Sequence, residues 1–295
     1  MPNVKFKNHL HLHFLVFIAG FTAILGELIT IQAIPLVWYR MTIAGILMFG
    51  YLRFKRIKLN IPFNVKIRFF LAGVVIALHW ITFFAAIKIS NISVTLAMFS
   101  TGAFFASLIE PLFYRRRIIS YEIILGLLVM FGVAMIMQID SEYFYGIILG
   151  ILSAFFSSLF AVMNGKFVQN YNAVTISFYE FISGVLFISI FLAFDHEHGF
   201  SVSFFNITFS DFIYLLILAS ICTAYAFIAS VYVMKHITPF SVVLTYNLEP
   251  VYGIIIAFII FPEKERMPVI FYIGSSLIIF TVFLNAIIKY NKNKN

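Results

Sequence analysis

Glu249 and Pro250 sit near the middle of Phe240–Ile260, an apolar stretch long enough to cross a bilayer. A carboxylate at that depth costs about 2.5–3.5 kcal/mol on insertion-based scales, so something must offset it. Pro250 has no N–H to give the carbonyl of Tyr246 and presses its ring against it, which predicts a kink. Freed backbone and an ionisable side chain are tolerated at membrane depth where they line a cavity or pack against protein. Tyr246, Glu249 and Gly253 follow i, i+3, i+7 spacing and share one face. A carboxyl moved between apolar and wet surroundings can bind and release a proton, which makes Glu249 a candidate coupling group. The plainer reading is a structural carboxyl bonded to a neighbouring helix.

Other polar groups recur in mid-stretch: His79, Trp80 and Thr82, then Ser100 and Thr101, then Thr223 and Tyr225, then Thr245, Tyr246 and Asn247. His79 is either a ligand or proton partner or a satisfied packing histidine. Two charge pairs are also suggested. Glu27 ends one apolar stretch and Arg40 begins the next; Lys166 and Glu180 repeat this with the signs swapped. Paired charges escape much of the burial penalty, so ion pairs Glu27–Arg40 and Lys166–Glu180 are expected at opposite faces, as hairpin clamps or gates. His9, His11 and His13, and Asp195–His198, lack an established ligand geometry, and no metal site is assigned to them.

The elements that must position these groups are helices. The composition is 62% hydrophobic and only 11% charged, and stretches near the ~20 residues of a helical span recur throughout. Ten are read, at about 12–32, 34–54, 66–87, 91–113, 119–138, 143–165, 173–194, 210–234, 238–261 and 268–289. Residues 1–11 and 290–295 flank them as cytoplasmic segments. The net charge of +8 does not point to nucleic acid, because the basic residues concentrate in alternate connections, such as Arg53–Arg68 and Arg115–Arg117. Asp140, Glu142, Asp195, Glu197 and Asp211 fall in the others. This positive-inside pattern places both termini in the cytoplasm and the basic loops against anionic lipid. The first stretch reads as an anchor and not as a cleaved signal. Cys222, the single cysteine, can form no disulfide within the chain.

The halves repeat. Gly26/Gly165 and Gly45/Gly184 are offset alike, and a second common offset links Ser93/Ser241, Leu96/Leu244, Phe113/Phe261 and Gly126/Gly274. Glu249 then corresponds to Thr101 and Pro250 to Gly102, so both halves are weakened at the same point. Five spans per half turn the second half over relative to the first, an inverted repeat typical of secondary carriers. The expected fold is an all-α integral membrane protein of ten transmembrane helices, with repeats at 12–140 and 141–289. Gly146, Gly150, Ala154 and Ser158 recur every fourth residue and offer a narrow face for close helix packing.

The ten stretches, the segments Gly126–Gly132 and Gly274–Phe280, Asn247-Leu-Glu-Pro250 and Trp38-Tyr-Arg40 together resemble the EamA-like drug/metabolite transporters. The resemblance covers about residues 12–289. It implies an exporter of amino acids or related small metabolites, whose first, third, fourth, sixth, eighth and ninth helices surround a central cavity. On that basis His79, Trp80, Ser100, Thr101, Tyr225, Tyr246, Asn247 and Glu249 are candidate substrate-binding residues, with Ser153 and Ser157 as further hydroxyls. Where the family often carries a basic residue late in the first helix, this chain has Glu27, and Lys166 stands in the second repeat.

No P-loop, G-x-S-x-G or H-E-x-x-H pattern is present, so no ATP site, cofactor or enzyme is expected and transport should be secondary. The expected partners are a small-molecule substrate, the lipid bilayer and protons, and the expected location is a bacterial inner membrane. Uptake or exchange of another organic solute, and a non-transporting sensor or assembly protein, are the competing readings. Oligomeric state is left open.

Overall fold

A computed structural model describes residues 2–57, 59–115, 117, 120–136, 141–194, 199–246 and 248–292. The described residues form helices and no strand. In chain order these are α1 (Pro2–Leu28), α2 (Ala33–Phe54), α3 (Phe63–Ile89), α4 (Ile92–Phe99), α5 (Gly102–Tyr114), α6 (Ser120–Ile136), α7 (Phe144–Phe167) and α8 (Ala173–Phe194). The short α9 (Val202–Phe205) precedes α10 (Phe209–Ala219), a π-helical turn Ser220–Tyr225, α11 (Ala226–Val233), α12 (Pro239–Tyr246), α13 (Glu249–Ile260) and α14 (Val269–Lys292). Helix α1 therefore takes in the histidine-bearing segment that the sequence placed in a cytoplasmic flank.

Seven helices among the described residues are long and apolar enough to cross a membrane, counting α4–α5 as one and α10–α11 as another. Ile124–Ile136, Glu249–Ile260 and Val269–Thr281 are shorter apolar helices. Large apolar side chains such as Leu127, Phe131, Ile259 and Phe280 point outward. On a soluble protein such a surface would be an aggregation liability; against lipid it is what the solvent requires. This is a multi-pass membrane protein.

Without a hydrophobic driving force between helices in lipid, close packing depends on small residues. The Gly146–Ser158 face of α7 lies along the α3–α4–α5 line. A methyl group at Gly150 would stand 2.7 Å from Met98 Cβ, and Ser158 Oγ donates to Gly102 O at 2.7 Å. Helices α6 and α14 meet at Gly132 and Gly274, where a methyl on either would approach the other's carbonyl oxygen to 2.9–3.0 Å.

Polar side chains satisfy orphan N–H groups at helix starts. Asn91 Oδ1 accepts from Val94 N at 2.8 Å. Glu265 accepts from Ile92 N at 3.0 Å and Ser93 N at 2.8 Å, which ties the α13–α14 connection to α4. Asp211 accepts from Thr30 N at 2.7 Å and Thr30 Oγ1 at 2.8 Å, joining the α1–α2 turn to α10.

Candidate functional site

Three helical irregularities converge on one cavity. Between α12 and α13, Pro250 cannot continue the helical ladder, and α13 restarts with Glu249 and Pro250 in its first turn. Between α4 and α5, Ser100 Oγ donates to Leu96 O at 3.2 Å and Thr101 Oγ1 to Met98 O at 2.7 Å. The chain tightens there, Thr101 N reaching Met98 O at 3.0 Å, before Gly102 begins the next segment. In the third, Thr223 Oγ1 donates to Leu218 O at 2.6 Å inside the π turn. Such π turns recur at functional sites because they re-aim side chains and carbonyls.

The cavity holds about 110 Å³, room for several waters or a small solute. Its walls are largely aromatic and aliphatic, with Trp80, Phe83, Phe99, Phe160, Phe227 and Tyr246 among them, and Arg40, His79, Thr22, Ser157, Ser230 and Glu249 supply the polar groups. Arg40 is buried in α2. Its Nε donates to Thr223 Oγ1 at 2.6 Å, its Nη2 reaches Cys222 O at 3.4 Å, and its guanidinium carbon lies 3.9 Å from the Trp80 ring centroid. Nη1 is buried with no hydrogen-bond partner.

His79 is a wall residue with its own bonds. Nδ1 lies 3.0 Å from Ser153 O and 2.9 Å from Ser153 Oγ. Ser153 Oγ in turn donates to His79 O at 3.2 Å, and the imidazole stacks on Phe99 at a centroid distance of 5.5 Å. Tyr246 and Ser230 hydroxyls meet at 2.6 Å.

The structure brings together His79, Trp80, Tyr246 and Glu249 from the sequence candidates, with Ser157. Ser100 and Thr101 are buried with their hydroxyls turned onto their own helix, and Gly102 forms the wall in their place. Tyr225 is corrected outright. It is 45% exposed and its hydroxyl meets His11 Nε2 at 2.9 Å, because the π turn rotates it away from the cavity. Asn247 and Asp195–His198 lie outside the described residues.

Both expected ion pairs are also corrected. Glu27 pairs with Lys264 at 2.5 Å, whereas Arg40, nearly two helical turns into α2, faces the cavity. Lys166 donates outward to Phe113 O at 3.3 Å, and Glu180, fully buried, receives a hydrogen bond from Asn164. Spacing along a hairpin leaves helix rotation undetermined, and rotation separates these partners. Sequence reasoning named Arg40 but missed it as a wall residue; its signal was a guanidinium eight residues inside an apolar helix.

The family model for EamA-like transporters matches residues 9–138 and again residues 144–287. The chain belongs to the EamA-like transporter family. Membership makes it a membrane transporter of the drug/metabolite type, built from two copies of the family unit. No curated protein matches this EamA-like transporter. A solved crystal structure superposes on 94% of it, and on 96% of that chain, with a TM-score of 0.68 at 14% identity. At that identity the likeness concerns the fold alone.

Proposed function

We propose that this EamA-like transporter is a secondary exporter of amino acids or related small metabolites. The carrying observation is a cavity with opposite charges set in an aromatic wall. Arg40 presents a buried guanidinium N–H with no hydrogen-bond partner, and Glu249 lines the same cavity. A buried donor without a partner is costly, and a substrate carboxylate would satisfy it with a charge-assisted bond. A substrate ammonium would do the same for Glu249, and an apolar side chain would lie against Phe83, Phe160 and Phe227. Zwitterions with an apolar portion fit that arrangement.

Alternating access would use ten spans in two inverted five-helix repeats, 12–140 and 141–289, with helix irregularities at 100–101 in the first and at the π turn and before Glu249 in the second. Both termini are assigned to the cytoplasm of a bacterial inner membrane on the distribution of Lys and Arg. Glu249 is the proposed proton-coupling group. It starts α13 beside the helix break, and it would exchange its proton as the cavity changes exposure. His79 is its candidate partner.

Efflux of labelled amino acids from proteoliposomes, with and without an imposed pH gradient, tests the reading. The wild type should release at least one amino acid faster than protein-free vesicles, and Glu249→Gln should lose the response to the gradient. Transport by Glu249→Gln at the wild-type rate with unchanged pH dependence would remove Glu249 from coupling. Absence of flux for every amino acid would remove the cargo assignment.

A further inference from the structure

A second buried carboxyl lies away from the central cavity. Glu180 on α8 is 0% exposed, and so is Asn164 on α7. Asn164 Nδ2 donates to Glu180 Oε2 at 3.4 Å. The remaining polar atom of each group, Glu180 Oε1 and Asn164 Oδ1, is buried with no hydrogen-bond partner. Two buried acceptors on this bonded pair of side chains are thus left without a hydrogen.

No cation neutralises Glu180 among the described residues. On α2, Arg40 is held by Thr223 and Trp80, and Arg53 is exposed. On α3, Lys66 and Arg68 are exposed, His79 is bonded to Ser153, and Lys88 donates to Ile29 O. Lys166 of α7 turns to Phe113 O, and α11 carries no charged residue. Tyr179 of α8 itself donates to Leu59 O at 2.7 Å. The helix crossing beside Glu180 is also tight. A methyl at Gly73 would stand 2.8 Å from Ser183 Cβ, and one at Gly184 would stand 3.1 Å from Gly73 O. An isolated carboxylate in such surroundings carries a large desolvation cost.

We propose that Glu180 and Asn164 form a buried proton-binding site, with Glu180 held as the neutral acid in a cyclic acid–amide pair. The proton comes from water and bonds to Oε1. The new O–H donates to Asn164 Oδ1 while Asn164 Nδ2 continues to donate to Oε2. Every polar atom of the pair is then satisfied and no charge is left in the apolar interior. The site is distinct from Glu249, joins α7 to α8 within the second repeat, and does not depend on the transport reading.

Infrared spectroscopy of the purified protein in lipid at neutral pH tests this directly. The wild type should show a protonated-carboxyl stretch that is absent from Glu180→Gln and shifts slowly after transfer to D2O. Glu180→Gln should melt with the wild type, because a neutral amide reproduces both hydrogen bonds, whereas Asn164→Leu should melt lower. The proposal is overturned if Glu180→Gln leaves the protonated-carboxyl band unchanged and removes a carboxylate band, which would mean a trapped water or cation bridges two acceptors. Failure of Glu180→Gln to fold would overturn it equally.

Discussion

Arg40 lies over Trp80, its guanidinium carbon 3.9 Å from the ring centroid, while its Nε holds Thr223 on the π turn. One cation thus joins α2, α3 and the irregular segment between α10 and α11. A desolvated cation–π contact is worth about 2 kcal/mol, and a hydrogen bond to a charged group about 1.5–3 kcal/mol. Lysine can supply the charge but not the planar face together with a side-on N–H. Arg40→Lys should therefore weaken substrate affinity at least about tenfold, the equivalent of 1.4 kcal/mol. Transport kinetics in proteoliposomes at matched protein levels would check this.

Tyr246 and Tyr225 should behave in opposite ways. Tyr246 faces the cavity and shares a hydrogen bond with Ser230. Removing the hydroxyl in Tyr246→Phe should forfeit about 1 kcal/mol and raise KM about fivefold. Tyr225→Phe removes only the contact with His11 on the exposed side and should leave KM and kcat as they are.

Glu27 is partnered by Lys264, with the lysine 46% exposed. Glu27 is 14% exposed and its Oε2 is buried without a partner, so Glu27→Gln, which keeps the shape and removes a largely buried charge, should leave the melting temperature within a few degrees of wild type. Glu27→Lys sets two lysines against each other, and adding Lys264→Glu should restore stability and transport. Adding Arg40→Glu should not. Thermal melts of the two double variants distinguish the observed pair from the one that hairpin spacing suggests.

Gly73 sits where α3 crosses α8, with Ser183 and the backbone of Glu180 against its Cα. Overpacking a close crossing costs about 1–3 kcal/mol. Gly73→Leu should lower the melting temperature in detergent by several degrees, while substitution of Gly50, where a Cβ would meet nothing within 4 Å, should be neutral.

What could be read from the sequence depended on how local its cause was. The break before Pro250 follows from one missing N–H, and the Gly146–Ser158 face from a four-residue period, so both were visible. The two-unit organisation was carried by glycine registers such as Gly126/Gly274, and the family matches at 9–138 and 144–287 agree with two units. Helix rotation was not legible. Arg40, Glu27, Lys166 and Glu180 were paired by spacing alone, and their partners proved to be Thr223, Lys264, Phe113 O and Asn164. The π turn was equally hidden, since it depends on Thr223 bonding back to Leu218 and on Arg40 arriving from another helix. Tyr225 was misplaced for that reason.

The most direct measurement is untargeted mass spectrometry of medium from cells expressing wild type, Glu249→Gln, Arg40→Lys or empty vector at matched membrane levels. A solute bearing both an amine and a carboxylate should accumulate outside with the wild type, and fall toward the vector level with either variant. Equal accumulation with the variants, or no solute enriched by the wild type, would contradict export through a cavity framed by Arg40 and Glu249.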